Sequence, residues 1–399
     1  MGYVAGTLDV PAGGGTVVVP EAADAVVFFG TNFTVMDTIV TAPGTGIFMG
    51  WAGPDIDGSG VRQGAIGIVP DGDAYCADEA AILCPSTAGT GAVLYRAELV
   101  SFDGASFTLN FTQGAAGGYK VFYLAISGFE NYLATGHVGS VSTAVGWKAN
   151  SVLGQSFRGI SAVPAASTNF HGATWGATAN KFNTPTWGYV AASSYPTSQS
   201  GQGISETLAL SGGVPKCGLT THFTGPFMIT GLLNGRPTGV DGFTFTRGTD
   251  PQNFAWWLAW SGGSQFRGMN IPTGVVDAEA SSTFTQMEAV DCLITFTCSD
   301  APQGQTPAAG GAVGFSFATP DFQCCAIVDA MGTRGAFQST TRGWASMVDS
   351  TQVRAGEVEF VGNVALLRTI DAGAVGGSLV ALGLEDEEDT PGFFRVVHR

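Results

Sequence analysis

The chain has 399 residues, a formal net charge of −16, 12% charged and 45% hydrophobic residues, and 59 glycines. Acids outnumber Lys and Arg by 32 to 16, which excludes a phosphate-neutralising surface and with it a nucleic-acid partner. No apolar run approaches the about 20 residues of a membrane-spanning helix. The start, Met1-Gly2-Tyr3-Val4-Ala5-Gly6, lacks the basic and apolar regions of a secretory signal and the Ser or Thr that myristoylation needs at position six.

A surface with so few charges must be covered by Ser, Thr, Asn, Gly and apolar area, which suits broad contact with neighbouring subunits. The seven cysteines are Cys76, Cys84, Cys217, Cys292, Cys298, Cys324 and Cys325. Their number is odd and their positions do not recur along the chain, so they read as buried small hydrophobes in a reducing cytoplasm. A Cys76–Cys84 bridge is the alternative.

In chain order, short runs rich in Val, Ile, Phe, Tyr and Thr alternate with Gly, Pro, Asp and Asn at intervals of about 8–12 residues, which predicts antiparallel strands. The order of runs recurs three times. An apolar strand at 24–31 is matched at 288–296. A small-residue strand at 46–52 is matched at 186–191 and 312–318, and a further strand at 63–69 is matched at 203–210 and 324–328. The closing signature is clearest at 98–128, where Asp103-Gly104 marks a hairpin turn; it weakens at 241–262, where Asp241-Gly242 opens a strand, and again at 357–383. This internal repetition predicts an all-β chain of three tandem antiparallel β-sandwich or jelly-roll-like domains. They are expected at 1–138, 139–265 (with long loops at 150–183 and 193–203) and 266–385, followed by an acidic linker and arm at 386–399. Short helices are expected within 86–96 and 279–289.

Candidate sites are few. Asp55, Asp57 and Ser59 stand at the first, third and fifth places of a loop with Gly60 at the sixth, as in a calcium loop, but Ile66 holds the twelfth place and the flanks are strand-like. The stretch therefore reads as a polar turn, with calcium as the alternative; Asp71-Gly72-Asp73 reads the same way. His137, His171, His222 and His398 are scattered, and Cys217 with His222 lacks a second ligand pair for zinc. Glu98 and Glu357 recur at matching strand starts and read as edge residues rather than facing glycosidase carboxylates. No nucleophile elbow, Walker loop or HExxH occurs. Phe254, Trp256, Trp257 and Trp260 read mainly as core. Trp175 and Trp187, in or beside the expected long loops, are candidates for stacking on a sugar or anchoring a protein neighbour, with core packing as the alternative. After the acidic run 385–389, Phe393, Phe394 and Val396 form an apolar segment that reads as an arm inserted into a partner.

The stretches VVFFGT (26–31), FMGWA (48–52), RQGA (62–65), LVSFDGASFTLNFT (99–112) and YKVFYLAISG (119–128) resemble a domain found repeatedly in virion proteins of tailed bacteriophages. The resemblance covers about a third of the chain directly and the rest through its repeats. It implies a structural role, with no catalytic residue or cofactor to carry over. The chain is then expected to be a surface-exposed tail or tail-tip protein in the virion, serving assembly and host attachment. Its partners would be other virion subunits, further copies of itself, and a host surface glycan or protein, without membrane insertion. A capsid decoration or head-spike protein is the alternative, and a carbohydrate-binding module a further one.

Overall fold

A computed structural model of the chain describes residues 2–42, 44–55, 59–69, 74–86, 92–128, 133–138, 143–145, 151–158, 171–181, 184–194, 230–233, 243–246, 253–260, 264–271, 281–288, 290–299, 312–329, 335–349, 352–361, 364–372 and 377–384. Among them are 28 strands and no helix, so the chain is all-β. The first third supplies β1 (Gly2–Asp9), β2 (Gly15–Val19), β3 (Ala25–Thr31), β4 (Ile47–Pro54), β5 (Val61–Ile68), β6 (Ala74–Ala77), β7 (Ile82–Pro85), β8 (Val93–Phe102), β9 (Phe107–Gln113) and β10 (Lys120–Ser127). The middle third supplies β11 (Leu133–Val138), β12 (Thr143–Val145), β13 (Ser151–Arg158), β14 (His171–Lys181), β15 (Thr184–Ser194), β16 (Thr230–Leu233), β17 (Phe243–Thr246) and β18 (Asn253–Trp260). The last third supplies β19 (Ser264–Ile271), β20 (Ser281–Glu288), β21 (Cys292–Ser299), β22 (Ala312–Ala318), β23 (Gln323–Asp329), β24 (Ala336–Ser339), β25 (Trp344–Asp349), β26 (Gln352–Val361), β27 (Val364–Ala372) and β28 (Gly377–Leu384).

One strand order recurs. The first third has an inner sheet β1-β10-β3-β4-β5-β6 and an outer sheet β2-β9-β8-β7. The last third repeats both, as β19-β28-β21-β22-β23-β24 and β20-β27-β26-β25, and the middle third follows with β11-β18-β13-β14-β15 and β12-β17-β16. Strand β11 begins at Leu133 and pairs with β18, so by hydrogen bonding it goes with the middle sheet although it precedes residue 139.

Several local expectations change. The helix expected within 86–96 is replaced from Val93 onward by β8, where Tyr95, Ala97 and Leu99 alternate inward with period two. The helix expected within 279–289 is instead β20, paired with β27. The 150–183 stretch, expected as a long loop, contains β13 and β14, which pair along eight residues. The Thr186–Ala191 stretch lies in β15, next to β14, so β14 rather than this stretch holds the place of β4. The Asp103-Gly104 turn is present: the Asp103 N–H donates to Ser106 O at 3.0 Å and Gly104 adopts φ 81°. Asp71-Gly72-Asp73, Asp241-Gly242, 203–210, Cys217, His222 and His398 lie outside the described residues.

The continuous apolar run of β3 is explained by burial on both faces. Val26 and Phe28 face the outer sheet with Leu99, Phe107 and Leu109. Ala25, Val27 and Phe29 face the other way, into a cluster that also takes Leu153, Trp175 and Leu258 from the middle sheet and Ile294, Phe296, Phe315, Phe317 and Leu382 from the last. Register explains the match. Val27 lies between Trp51 and Leu124, Leu153 between Ala177 and Leu258, and Ile294 between Phe317 and Leu382. Each trio is one row of an inner sheet, and the three rows occupy one shared core.

Within each outer third, a glutamine ties the inner sheet to the outer one. Gln63 on β5 accepts from the Leu99 N–H at 2.7 Å and donates to Leu99 O at 3.5 Å. Gln323 on β23 accepts from the Val358 N–H at 2.7 Å and donates to Val358 O at 2.6 Å. Each amide satisfies both backbone groups of one residue, which would otherwise be left without partners between the sheets. Replacing either Gln63 or Gln323 by Ala is expected to cost about 1–3 kcal/mol, with the double variant additive to within about 0.5 kcal/mol because the sites share no partner. Urea denaturation of the four proteins checks this; a change below about 0.3 kcal/mol at either site contradicts it.

Candidate functional site

The region that the fold builds most deliberately is the junction of the three inner sheets. Its three seams are made by equivalent strands. Strand β5 packs against β13 and β14, β15 against β21 and β22, and β23 against β3 and β4. The first strand of each third also lies on the preceding inner sheet: β11 on β4 and β5, β19 on β14 and β15, and β1 on β23. Advancing every label by one third carries each seam onto the next. The contacts are heterologous and close after three steps, giving a pseudo-threefold ring in one chain.

At the first-to-middle seam, the Thr135 hydroxyl lies 3.1 Å from Gly53 O and 2.9 Å from Pro54 O. Gln155 donates from Nε2 to Gly64 O at 2.8 Å. A Cβ at Gly64 would stand 2.3 Å from Trp256 Cδ1, so the glycine of RQGA is where an indole of the middle sheet covers the first. At the last-to-first seam, Phe29 meets Phe317 edge-on at 4.7 Å and lies 6.2 Å from Phe315. The residues 31–40 run along the free edge of β24. Gln338 accepts from the Thr31 hydroxyl at 2.7 Å and donates to Phe33 O at 2.9 Å and Val35 O at 3.2 Å. Ser339 donates to Asp37, and Val40 and Ala336 exchange both backbone hydrogen bonds at 2.8 Å.

Trp175 is corrected by this geometry. It is fully buried on β14, where its ring meets Phe315 edge-on at 5.1 Å, so it is no surface platform for a sugar or another protein. The neighbour it anchors is the last sheet of its own chain. Trp187 is placed by backbone only: it pairs with Thr178, one residue before Gly188, which holds the register place of Gly64 and Cys324. Trp187 therefore occupies the position that Gln63 and Gln323 hold in the other two sheets. Trp256, Trp257 and Trp260 are core. Phe393, Phe394 and Val396 lie outside the described residues.

Asp55 is nearly buried, and its carboxylate accepts from Arg62 Nε, so an arginine already supplies the countercharge that calcium would bring. Its backbone bridges Thr135, which makes it part of the first-to-middle seam. Asp57 lies outside the described residues and Ser59 is exposed in a bend. Among the described residues no three His, Cys, Asp or Glu side chains group to hold a metal ion. Glu98 lies 3.4 Å from Arg96 and Glu357 3.7 Å from Arg342; both pairs are partly exposed and ordinary for strand surfaces. Cys84, Cys292, Cys324 and Cys325 are buried free thiols and Cys76 is buried; burial pushes the thiols of Cys84, Cys292, Cys324 and Cys325 well above their usual range. Cys76 and Cys84 are therefore not bridged.

The residues that sequence reasoning passed over are the glutamines. Gln63 stands in RQGA and Gln323 at the matching start of β23, so their recurrence was visible in an alignment of the repeats. Gln155 and Gln338 have no such signal, because each belongs to one seam only.

No family model matches the chain, and no curated protein matches it. Solved structures aligned along most of its length include CghA with Sch210972, 8% identical over 96% of this chain and 99% of that one, with a TM-score of 0.18. A putative AttH from Nitrosomonas europaea is 9% identical over 90% and 92%, with a TM-score of 0.15. The LG1-3 region of the laminin alpha2 chain is 9% identical over 94% and 95%, with a TM-score of 0.12. Scores of this size carry no argument about fold or function.

Burial shapes the alkaline limit of the fold. The Tyr123 phenol is pushed up to about 12 by burial and then by Glu21, and burial holds Tyr95 well above 10. Both phenols are neutral in the fold, while an unfolded tyrosine ionises near 10. Their contribution is therefore complete below pH ~10 and declines above it, that of Tyr123 being lost as pH rises through about 12. The urea midpoint is expected to fall across that window; a flat midpoint there contradicts the burial.

Proposed function

We propose that the chain is a structural protein of a tailed-bacteriophage virion, exposed on the tail or tail tip, where it contributes to assembly and host attachment. Two things support this reading. The first third carries the stretches that resemble repeated virion domains, and the interior of the molecule is spent on locking three sheets together. The shared core is the observation that carries the mechanical part of the reading. A sheet buried on both faces resists local opening, because exposing either face costs about 25 cal/mol per Å² of apolar area.

A second placement, as a decoration or spike protein on the capsid, is favoured by the pseudo-threefold ring. A single closed chain with three similar sides matches a threefold axis, where a rod of three domains would match a fibre. Of the two aromatic candidates behind a carbohydrate-binding reading, Trp175 is buried, which leaves Trp187 as its one remaining support.

Mass spectrometry of density-purified particles, followed by separated heads and tails, tests the proposal. The chain is expected at a fixed copy number per particle, in the tail fraction on the first placement and in the head fraction on the second. Its absence from particles overturns both. Removal of residues 393–399 is expected to lower incorporation by at least ~10-fold while leaving the urea midpoint unchanged, as an apolar anchor on the partner contact requires; unchanged incorporation removes the arm.

A further inference from the structure

The three seams of the ring are alike in strands but not in covalent connection. The chain itself crosses from the first third to the middle one and from the middle to the last. Among the described residues, the last-to-first seam is bridged by non-covalent contacts. Strand β23 packs on β3 and β4 there, Phe29 lies against Phe315 and Phe317, and residues 31–40 close the edge of β24 through Gln338, Ser339 and Ala336. Met36 and Val40 cover the central cluster from outside, and Ile39 covers a second cluster containing Cys325, Ile327 and Phe337.

Parting this seam would leave each chain with two unlike, complementary halves of one interface. The edge of β24 and the inner face of the last sheet would lie on one side, with residues 31–40 and the face of the first sheet on the other. Within one chain the halves meet at high effective concentration, so the closed ring is favoured in dilute solution. At high local concentration, such as that of a growing assembly, the same contact forms between chains without any new complementarity. Heterologous interfaces of this kind either close or propagate.

We infer that the last-to-first seam opens while the individual sandwiches stay folded, and that its occupant in the opened state is a second copy of this chain, joined head to tail through the exchanged seam. The inference concerns the seam alone and stands apart from the virion reading. The seam combines apolar packing of Phe29 on Phe315 and Phe317 with polar groups on a narrow edge, where one amide, Gln338, makes three of the hydrogen bonds; an exchanged second copy restores both kinds of contact. The core of each sandwich is separate, as the first sandwich shows: Cys84 lies in its interior cluster with Phe28, Phe107 and Leu109, whereas Cys324 lies in the central cluster between the thirds.

Those two thiols give the test. The full-length protein and a Gln338→Ala/Ser339→Ala variant are alkylated under native conditions, with modification mapped by mass spectrometry, and both are sedimented over a range of concentrations. In the variant, Cys324 is expected to react about tenfold faster than in the parent, as loss of several buried hydrogen bonds implies, while Cys84 keeps its parental rate. Species at whole-number multiples of one chain are expected to grow with concentration. A Val40→Cys/Ala336→Cys variant, oxidised across the directly opposed pair, is expected to protect Cys324 and to remain a single chain; reduction should reverse both effects. Unchanged protection of Cys324 in the weakened variant, or Cys324 and Cys84 reacting together, shows that the seam does not open by itself. A weakened variant that stays a single chain at every concentration rules out the second copy as its occupant. Either result overturns the inference.

Discussion

A sheet that is apolar on both faces is destabilised in water for as long as one face is bare. Each inner sheet here has a four- or three-stranded outer sheet on one side and needs a second cover on the other. The cover is the other two inner sheets. Phe29, Trp175 and Phe315 come from three distant parts of the chain, and all lie in the cluster where those faces meet. The recurrence of strand order, the register of the three rows and the closure of the ring all serve this one requirement.

The same requirement accounts for the composition. Residues that would be charged on a free sheet are apolar when both faces are covered, which lowers the charged share to 12%. It also accounts for glycine at the seam. Gly64 leaves the space that the Trp256 ring fills, so the two thirds approach more closely there than any side chain would allow. Four glutamines satisfy backbone groups between layers: Gln63 and Gln323 within sandwiches, Gln155 and Gln338 between them. A molecule built this way puts its specificity into contacts among its own layers.

Much of the fold was legible in sequence. The alternation of Phe107, Leu109 and Phe111 against Thr108 and Asn110 marks a half-buried strand, and the runs at 24–31 and 312–318 mark strands, which the structure then shows covered on both faces. The failures have physical causes. The stretch 171–181, HGATWGATANK, is small and polar with a single indole, so it reads as a loop; it is a strand because it pairs with β13 on one side and β15 on the other while Trp175 reaches the core. The segment 281–288 contains Met287 and Glu288, good helix formers, yet pairing with β27 overrides that weak preference. Repetition indicated three similar units but not how they associate, because a ring and a rod have the same strand pattern. The difference lies in Thr135, Gln155 and Gln338, single residues at seams, which a one-dimensional comparison of repeats has no reason to single out.

Cooperativity of unfolding bears most directly on the shared core. In scanning calorimetry the account predicts one transition, with a calorimetric enthalpy equal to the van't Hoff enthalpy within error, since no third can keep its inner face covered after another has melted. Three resolved transitions, or a calorimetric enthalpy about three times the van't Hoff value, would mean that the sandwiches unfold independently and that the central cluster does not hold them together.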